Sequence, residues 1–420
     1  AKRNANTPAD AEMLDENVLW DVAWKSYVKV FLVPGAEEQL ASMPYIGPSE
    51  DDVTAWVSAL DDRKRGRLAG SDSGFSFPDL VGGAFATQLM IKGKMKPSLD
   101  ASYLTSVKVP QSIQFDATGK TVAVFSPMIS QKVMREQQLL KPNILVLQRK
   151  SKEDVIKFLN NFDWRPNKKG KRRYIEIDYS LYDKSQGRAL ASMYLRKSAK
   201  YGLLKDYLTF IREHQYYRTV SAMKAGVKAW LEYQNQSGAP FTLDRNNDIN
   251  LLVIAEFLYW IIDLIEFVII MGDDCTLAVR GDPDVSQWES EVNRKYGLTM
   301  KVMVHDHGYI CSMDIVHLPG GQSTVVADIV KRALTFMDQS ITDADKFEER
   351  HISYADSLRG VEDARVQRYL ATALPSRMAS YLPGVTSDAV SCLCRAHTAF
   401  MASYELYRGM FADAATLRFN

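Results

Sequence analysis

The chain has 420 residues, 46% apolar and 25% charged, with a net charge of +1. That is enough for two or three packed subdomains of ordinary globular composition, and near-neutrality gives no global sign of a nucleic-acid partner. Only four cysteines occur, Cys275, Cys311, Cys392 and Cys394, which excludes a disulfide framework and suits a reducing compartment.

Residues 1–45 read as helical through DENVLWDVAWKSYVKVFL and end near Pro34-Gly35. The opening AKRNANTPADAEM has no apolar signal-peptide core and no initiating Met, so a fragment of a longer chain without a signal peptide is expected. Residues 46–100 mix charge runs and glycine clusters, and DDRKRGR (Asp61 to Arg67) reads as solvated surface. TVAVF (Thr121 to Phe125) has strand character, whereas KEDVIKFLNNF (Lys152 to Phe162) has a helical period. Gly119-Lys120-Thr121 looks like the tail of a P-loop. Gln114 stands where that loop needs glycine and a strand is expected to follow, so an ATPase loop is rejected.

RPNKKGKRR (Arg165 to Arg173) reads as a basic loop, most simply a solvated linker. YIEID (Tyr174 to Asp178) alternates like a strand, and QGRALASMYLRKSAKYG reads as a helix stopped by Gly202. Residues 203–235 look helical and aromatic-rich, and residues 241–264 a long apolar helix. The most apolar span, Leu251 to Met271, holds Glu256, Asp263 and Glu266, which argues against a membrane crossing and for core packing. FVIIM and CTLAVR then read as strands joined by a tight turn at Gly272-Asp273-Asp274. After Asp338 the chain reads as helical, with breaks at LPSR and LPGV. The whole is a mixed α/β body with a helical C-terminal subdomain.

Three polar elements could carry chemistry. Asp273 and Asp274 sit at the apex of an apolar hairpin. Asp178 closes a strand and Asp183 follows five residues later, suited either to a cation site or to capping the next helix. Carboxylates brought together from separate strand ends repel unless a cation lies between them, and hard oxygen ligands suit Mg²⁺. In SGAPFTLDRNN, Ser237-Gly238 forms a turn, and Thr242 and Asn246 share one helix face able to bond a sugar hydroxyl, or simply begin a polar helix. Two further groupings are weaker. Cys392, Cys394 and His397 in CLCRAH lack the spacing usual for zinc, and His305 and His307 around Asp306 read as a solvated loop.

In order, D-x4-D, S-G-x3-T-x3-N and G-D-D resemble motifs A, B and C of viral RNA-dependent RNA polymerases of the alphavirus-like superfamily, especially tobamovirus-like replicases. YDKSQ, GYICS (Gly308 to Ser312), ADIVKRALTF, KRNANTP and MIKGKMKPSLD extend the resemblance over most of the chain, most strongly from Ile175 to Phe336. Asn246-Asn247 departs from the family's usual Asn-Thr, and residues 46–90 match nothing.

The resemblance implies an α+β right hand. Residues 1–173 are expected as N-terminal extension and fingers, 174–194 as palm with motif A, and 195–235 as a fingers insertion. Residues 236–336 complete an antiparallel palm sheet, and 337–420 form a helical thumb. It implies that Asp178, Asp273 and Asp274 bind two Mg²⁺ (or Mn²⁺) and that Asp183 and Asn246 read the ribose 2′-hydroxyl with support from Ser237, Gly238 and Thr242. Lys301 in YGLTMKV matches the family's proton-donating lysine. Lys92, Lys94 and Lys96, with Arg149 and Lys150, are expected to meet the triphosphate. Implied partners are template and product RNA, NTPs, methyltransferase and helicase replicase domains, and host membranes through them, in the host cytoplasm. Two other readings are a non-catalytic RNA-binding scaffold and a reverse transcriptase. The latter family carries a bulky aromatic near the sugar where this chain has Asp183.

Overall fold

The computed structural model describes residues 15–60, 62, 65, 87–91, 112–116, 120–168, 170–222, 226–235, 238–337, 343–379, 384–406 and 408–409. In chain order the helices and strands run α1 (Glu16–Phe31), α2 (Ala36–Ser42), α3 (Glu50–Ser58), β1 (Thr87–Ile91), β2 (Ser112–Asp116), α4 (Lys120–Leu139), β3 (Ile144–Val146), α5 (Lys152–Leu159) and β4 (Arg172–Tyr179). Next come α6 (Tyr182–Ser185), α7 (Arg188–Lys200), α8 (Lys205–Phe210), β5 (Tyr217–Ala222), β6 (Val227–Glu232), α9 (Thr242–Leu258), β7 (Ile265–Met271) and β8 (Asp274–Arg280). The last are α10 (Trp288–Tyr296), β9 (Met300–His305), β10 (Gly308–Ile310), β11 (Met313–His317), β12 (Ser323–Ala327), α11 (Ile329–Met337), α12 (Ala344–Leu358), α13 (Ala364–Met378) and α14 (Ser387–Ala402).

The chain divides into two compact units. The first holds residues 1–94, 110–149 and 177–303. Its centre is α9, whose residues from Asp244 to Ala255 are all buried. A helix buried all round belongs in a core, and this one lies against α1, α7 and β7. α1 supplies Trp20, Trp24, Tyr27 and Phe31 at helical spacing, capped at its start by the Asp15 side chain. A five-stranded sheet in the order β3-β7-β8-β4-β9 carries the expected hairpin. β7 and β8 pair antiparallel, whereas β3 joins β7 in parallel, so the sheet is not wholly antiparallel. A second sheet has the order β2-β1-β5-β6.

The second unit holds residues 95–109, 150–176 and 304–420. The β10-β11-β12 sheet carries Val316 and Val326 into a core shared with Tyr354, Leu358, Leu370, Leu374, Met378, Val390 and Cys394. α5 begins with a reciprocal capping box between Ser151 and Asp154.

Several expectations change. TVAVF is the start of α4 rather than a strand: Thr121, Val124, Phe125, Met128 and Ile129 form its buried face. The P-loop rejection therefore rests on Gln114 alone. Part of the span expected as helix between residues 203 and 235 is the β5–β6 hairpin, rich in the aromatic and β-branched side chains that suit strands. LPSR does not break the chain, since Pro375 lies inside α13. In the apolar span from Leu251 to Met271, Trp260 is 81% exposed rather than packed. Among the described residues no helix is long and apolar enough to cross a membrane.

Candidate active site

β4 alternates its burial so that Ile177 and Tyr179 face inward and Asp178 stays exposed. β4 neighbours β8 in the sheet, and β8 begins with Asp274. Across the hairpin Met271 pairs with Asp274, leaving Gly272 and Asp273 as the turn. Gly272 adopts φ +68°, which L side chains rarely take, so glycine is required there. After Tyr179 the chain reverses at Leu181, whose φ of +55° is uncommon for a non-glycine residue. Lys184 and Ser185 donate their N–H groups to the Leu181 carbonyl at 2.9 and 3.0 Å, closing the short α6 that carries Asp183.

The acids converge electrostatically. Asp273 keeps an exposed edge, yet lost hydration pushes its carboxyl up to about 6, helped first by Asp274 and then by Asp178 and Asp183. The four carboxylates offer hard, anionic oxygens of the kind a divalent cation takes, without three of them gathering within 4.8 Å of one another. Asp178, Asp273 and Asp274 are the residues that would hold it.

A second acidic group is different. Oxygens of Glu136, Asp244 and Asp248 lie within 4.8 Å of one another, all buried. Lys132 Nζ donates to both Asp244 oxygens at 2.8 Å and to Asp248 at 2.6 Å, and Lys197 Nζ meets Glu136 at 2.5 Å and Asp248 at 2.7 Å. Two ammonium groups already provide the cations here. Tyr27 and Tyr194 donate their hydroxyls to Glu136 and Asp244 at 2.7 and 2.9 Å, completing a structural network below α9.

Beside the acids, Asn246 Nδ2 donates to Asp183 Oδ1 at 2.9 Å. Its Oδ1 accepts from Gln186 Nε2 at 2.7 Å and Asn235 Nδ2 at 2.8 Å. Two donors on the oxygen fix which end of the Asn246 amide faces Asp183. Asn235 also donates its main-chain N–H to the Asp183 carbonyl at 2.9 Å and its Nδ2 to the Thr242 carbonyl at 3.2 Å. Tyr182, stacked on Tyr179, donates to the Asn246 carbonyl at 3.3 Å.

Asp183 and Asn246 are thus joined directly, and Thr242 is tied to them through Asn235. Gly238 is half-buried in the turn before α9. Lys301 is exposed on β9, and Arg149 and Lys150 are exposed after β3, Arg149 at φ +66°. Ser237, Lys92, Lys94 and Lys96 lie outside the described residues. Cys392 is exposed and Cys394 sits in the core of the second unit, facing different sides of α14, so the two do not chelate together. The stretch expected as a basic loop ends in β4: Lys171, just before the strand, and Arg173, within it, both pair with Asp306, and Arg172 is buried. His305 and His307 are half-buried rather than solvated, and His307 Nδ1 lies 3.1 Å from the Tyr369 hydroxyl. Sequence reasoning missed Asn235 and the roles of Asn247 and Asn250. A signal existed: Asn246, Asn247, Asp248 and Asn250 are polar residues in a helix that turns apolar immediately afterwards.

Comparison with known proteins agrees. Residues 1–407 match the family described as RNA dependent RNA polymerase. The replicase large subunit of Tomato mosaic virus (strain L) is 24% identical over 423 residues, covering 99% of this chain and 24% of that protein. The replicase large subunit of Turnip vein-clearing virus is 24% identical over 362 residues, covering 84% of this chain and 21% of that protein. The chain thus spans about a quarter of the length of these curated relatives. The insertion-loop deletion mutant of the RNA-dependent RNA polymerase of a human picorbirnavirus shares the fold at a TM-score of 0.51 and 15% identity, over 89% of this chain and 87% of that one. The architecture is the α+β fold of a right-hand polymerase. Since the family match runs through nearly the whole sequence, this chain belongs to the RNA dependent RNA polymerase family.

Proposed function

We propose that the chain joins ribonucleoside triphosphates on an RNA template by a two-metal mechanism centred on Asp178, Asp273 and Asp274. The observation that carries this reading is the placement of Asp178 at the end of β4 beside β8, which starts at Asp274 just after the Gly272–Asp273 turn, and the raised Asp273 carboxyl accords with it. When bound, two Mg²⁺ ions would lower the pKa of the attacking RNA 3′-hydroxyl and neutralise charge at the α-phosphate. Asp178 and Asp273 hold the ions from neighbouring strand ends, with Asp274 beside them.

Asp183 and Asn246 meet the ribose. A 2′-hydroxyl both donates and accepts, so a carboxylate beside an amide selects RNA over DNA. Ser237, Gly238 and Thr242 support them. Lys301 delivers a proton to the departing pyrophosphate. Lys92, Lys94, Lys96, Arg149 and Lys150 neutralise the triphosphate. Template choice rests on base pairing, so the protein's own contacts to template and product are to phosphate and shape.

Residues 1–173 and 195–235 serve as extension and fingers, 174–194 and 236–336 as palm, and 337–420 as thumb. The relatives' name, replicase large subunit, and their greater length support work beside further replicase domains, methyltransferase and helicase among them. The place of action is the host cytoplasm, at membranes reached through those domains.

Primer extension with Mg²⁺ tests the reading. The parent chain extends an RNA primer, and Asp273→Asn loses about a thousandfold or more of that rate, the order expected when electrostatic stabilisation at the reacting phosphate is removed. Retention of more than a tenth of the parent rate by Asp273→Asn refutes it.

A further inference from the structure

The turn bearing the metal-binding carboxylates is held from outside. Gly272 and Asp273 alone connect the paired ends of β7 and β8. Asn247 Oδ1 accepts the Gly272 N–H at 2.6 Å. Asn250 Nδ2 donates to the carbonyls of Gly272 at 3.0 Å and Asp273 at 3.4 Å. Both asparagines are on α9, three residues apart and so on one face, and they are 1% and 0% exposed.

Each amide is also oriented from its far end. Asn247 Nδ2 donates to Gln148 Oε1 at 2.8 Å, and the Tyr179 hydroxyl donates to Asn250 Oδ1 at 3.2 Å. Gln148 in turn offers its main-chain carbonyl to Gln137 Nε2 at 2.9 Å. A side-chain amide has one acceptor end and one donor end, so a partner at one end decides what the other presents. The acceptor of Asn247 and the donor of Asn250 both face the turn.

We infer that Asn247 and Asn250 are positioning residues that hold the Gly272–Asp273 turn in its ion-binding form before any ion arrives. The inference rests on the two-metal reading above. The Asp273 carboxylate on the turn and its neighbour Asp274 at the start of β8 repel each other, and that repulsion favours splayed arrangements of the turn when no cation is present. Fixing both peptide groups of the turn against a buried helix opposes this. Ion binding then need not order the turn, which is how bonds behind the ligands raise metal affinity, by about tenfold or more per partner. Asn247 also gains a reason for standing where the family often has threonine.

The test is direct Mn²⁺ binding by the full chain, read as loss of the free-ion electron paramagnetic resonance signal. Asn247→Leu and Asn250→Leu are expected to weaken Mn²⁺ binding about tenfold, the usual cost of removing such a partner. Gln148→Leu, which leaves the turn's own bonds intact, weakens it less, by about threefold, the low end of what one hydrogen bond contributes. The ratio of ribonucleotide to deoxyribonucleotide incorporation stays at the parent value in all three, because Asn246 and Asp183 are untouched. Parent Mn²⁺ affinity in folded Asn247→Leu or Asn250→Leu overturns the inference. Should neither fold, parent affinity in Gln148→Leu overturns it. Asp273→Asn separates the two levels. If it loses Mn²⁺ binding while the asparagine variants keep it, only the positioning role falls. If Asp273→Asn itself binds Mn²⁺ as the parent does, the two-metal reading falls and takes the positioning role with it.

Discussion

Replacing Lys132 with methionine probes the buried charge network around α9. The Lys132 ammonium is fully buried and donates to three carboxylate oxygens, two on Asp244 and one on Asp248. Burial alone would lower its pKa, but Asp244, Asp248 and Glu136 outweigh that and hold it above the ordinary lysine value. Lys132→Met keeps the length and apolar stem and removes the charge, taking from Asp244 its ammonium partner and leaving Asp248 to share Lys197 with Glu136. Breaking a buried pair from one side costs about 3–5 kcal/mol. At about 2–4 °C per kcal/mol for a domain of this size, the melting temperature falls by about 6–20 °C.

The cost depends on pH. Burial raises the folded Asp248 carboxyl to about 7, although Lys132 and Lys197 pull it down. The unfolded value is about 3.9. Stability from that bound proton is complete below about 4 and is lost as pH rises through about 7. Removing Lys132 raises the folded value further and carries the loss to higher pH. The variant's deficit therefore widens between pH 6 and pH 8.5. Adding Asp244→Asn removes one orphaned carboxylate and recovers about half the deficit, on the order of 2 kcal/mol. Circular-dichroism melts at three pH values measure all of this. A deficit below about 1 kcal/mol, or one unchanged with pH, would refute the reasoning, since exposed pairs behave that way.

Two further outcomes concern the active site. Asn235→Leu removes one of the donors that orient Asn246, and the ribonucleotide-to-deoxyribonucleotide ratio should fall about tenfold, the value of one hydrogen bond of about 1.4 kcal/mol. Competitive incorporation assays read the ratio, and a parent value counts against sugar reading by Asn246. On the proposed two-metal mechanism, protons should compete with metal at Asp273, whose carboxyl is pushed up to about 6 by burial and neighbouring acids. The Mg²⁺ concentration for half-maximal extension should be flat above pH 7 and rise by up to about tenfold per unit below pH 6. A midpoint that stays flat down to pH 5 excludes Asp273 as a ligand.

Local pattern carried much of this protein. Alternation in YIEID placed a strand, Gly202 and Gly272 marked a helix end and a turn, and the order of three short polar motifs pointed to the polymerase family. Where local pattern failed, tertiary packing had overridden it. TVAVF is β-branched and apolar, but in α4 the same side chains form one buried face against the core. The β5–β6 hairpin lies in a stretch that begins as helix, and its aromatic and β-branched side chains take strand form where they pair across the turn. Pro375 reads as a breaker, yet α13 continues through it because the helix is fixed by packing in the second unit's core.

The sequence by itself determined which acids exist, where the hairpin turns and which family the chain belongs to, because turn chemistry and motif spacing are local properties. Only the tertiary structure decided which carboxylates meet a buried ammonium group and which meet other acids. Asp244 and Asp248 meet lysines from α4 and α7, more than 100 and about 50 residues away, whereas Asp273 meets other acids. It likewise turned Asn235, Asn247 and Asn250 from ordinary polar residues into braces. An amide's role depends on what lies at its two ends, and those partners come from elements that converge only when the chain folds.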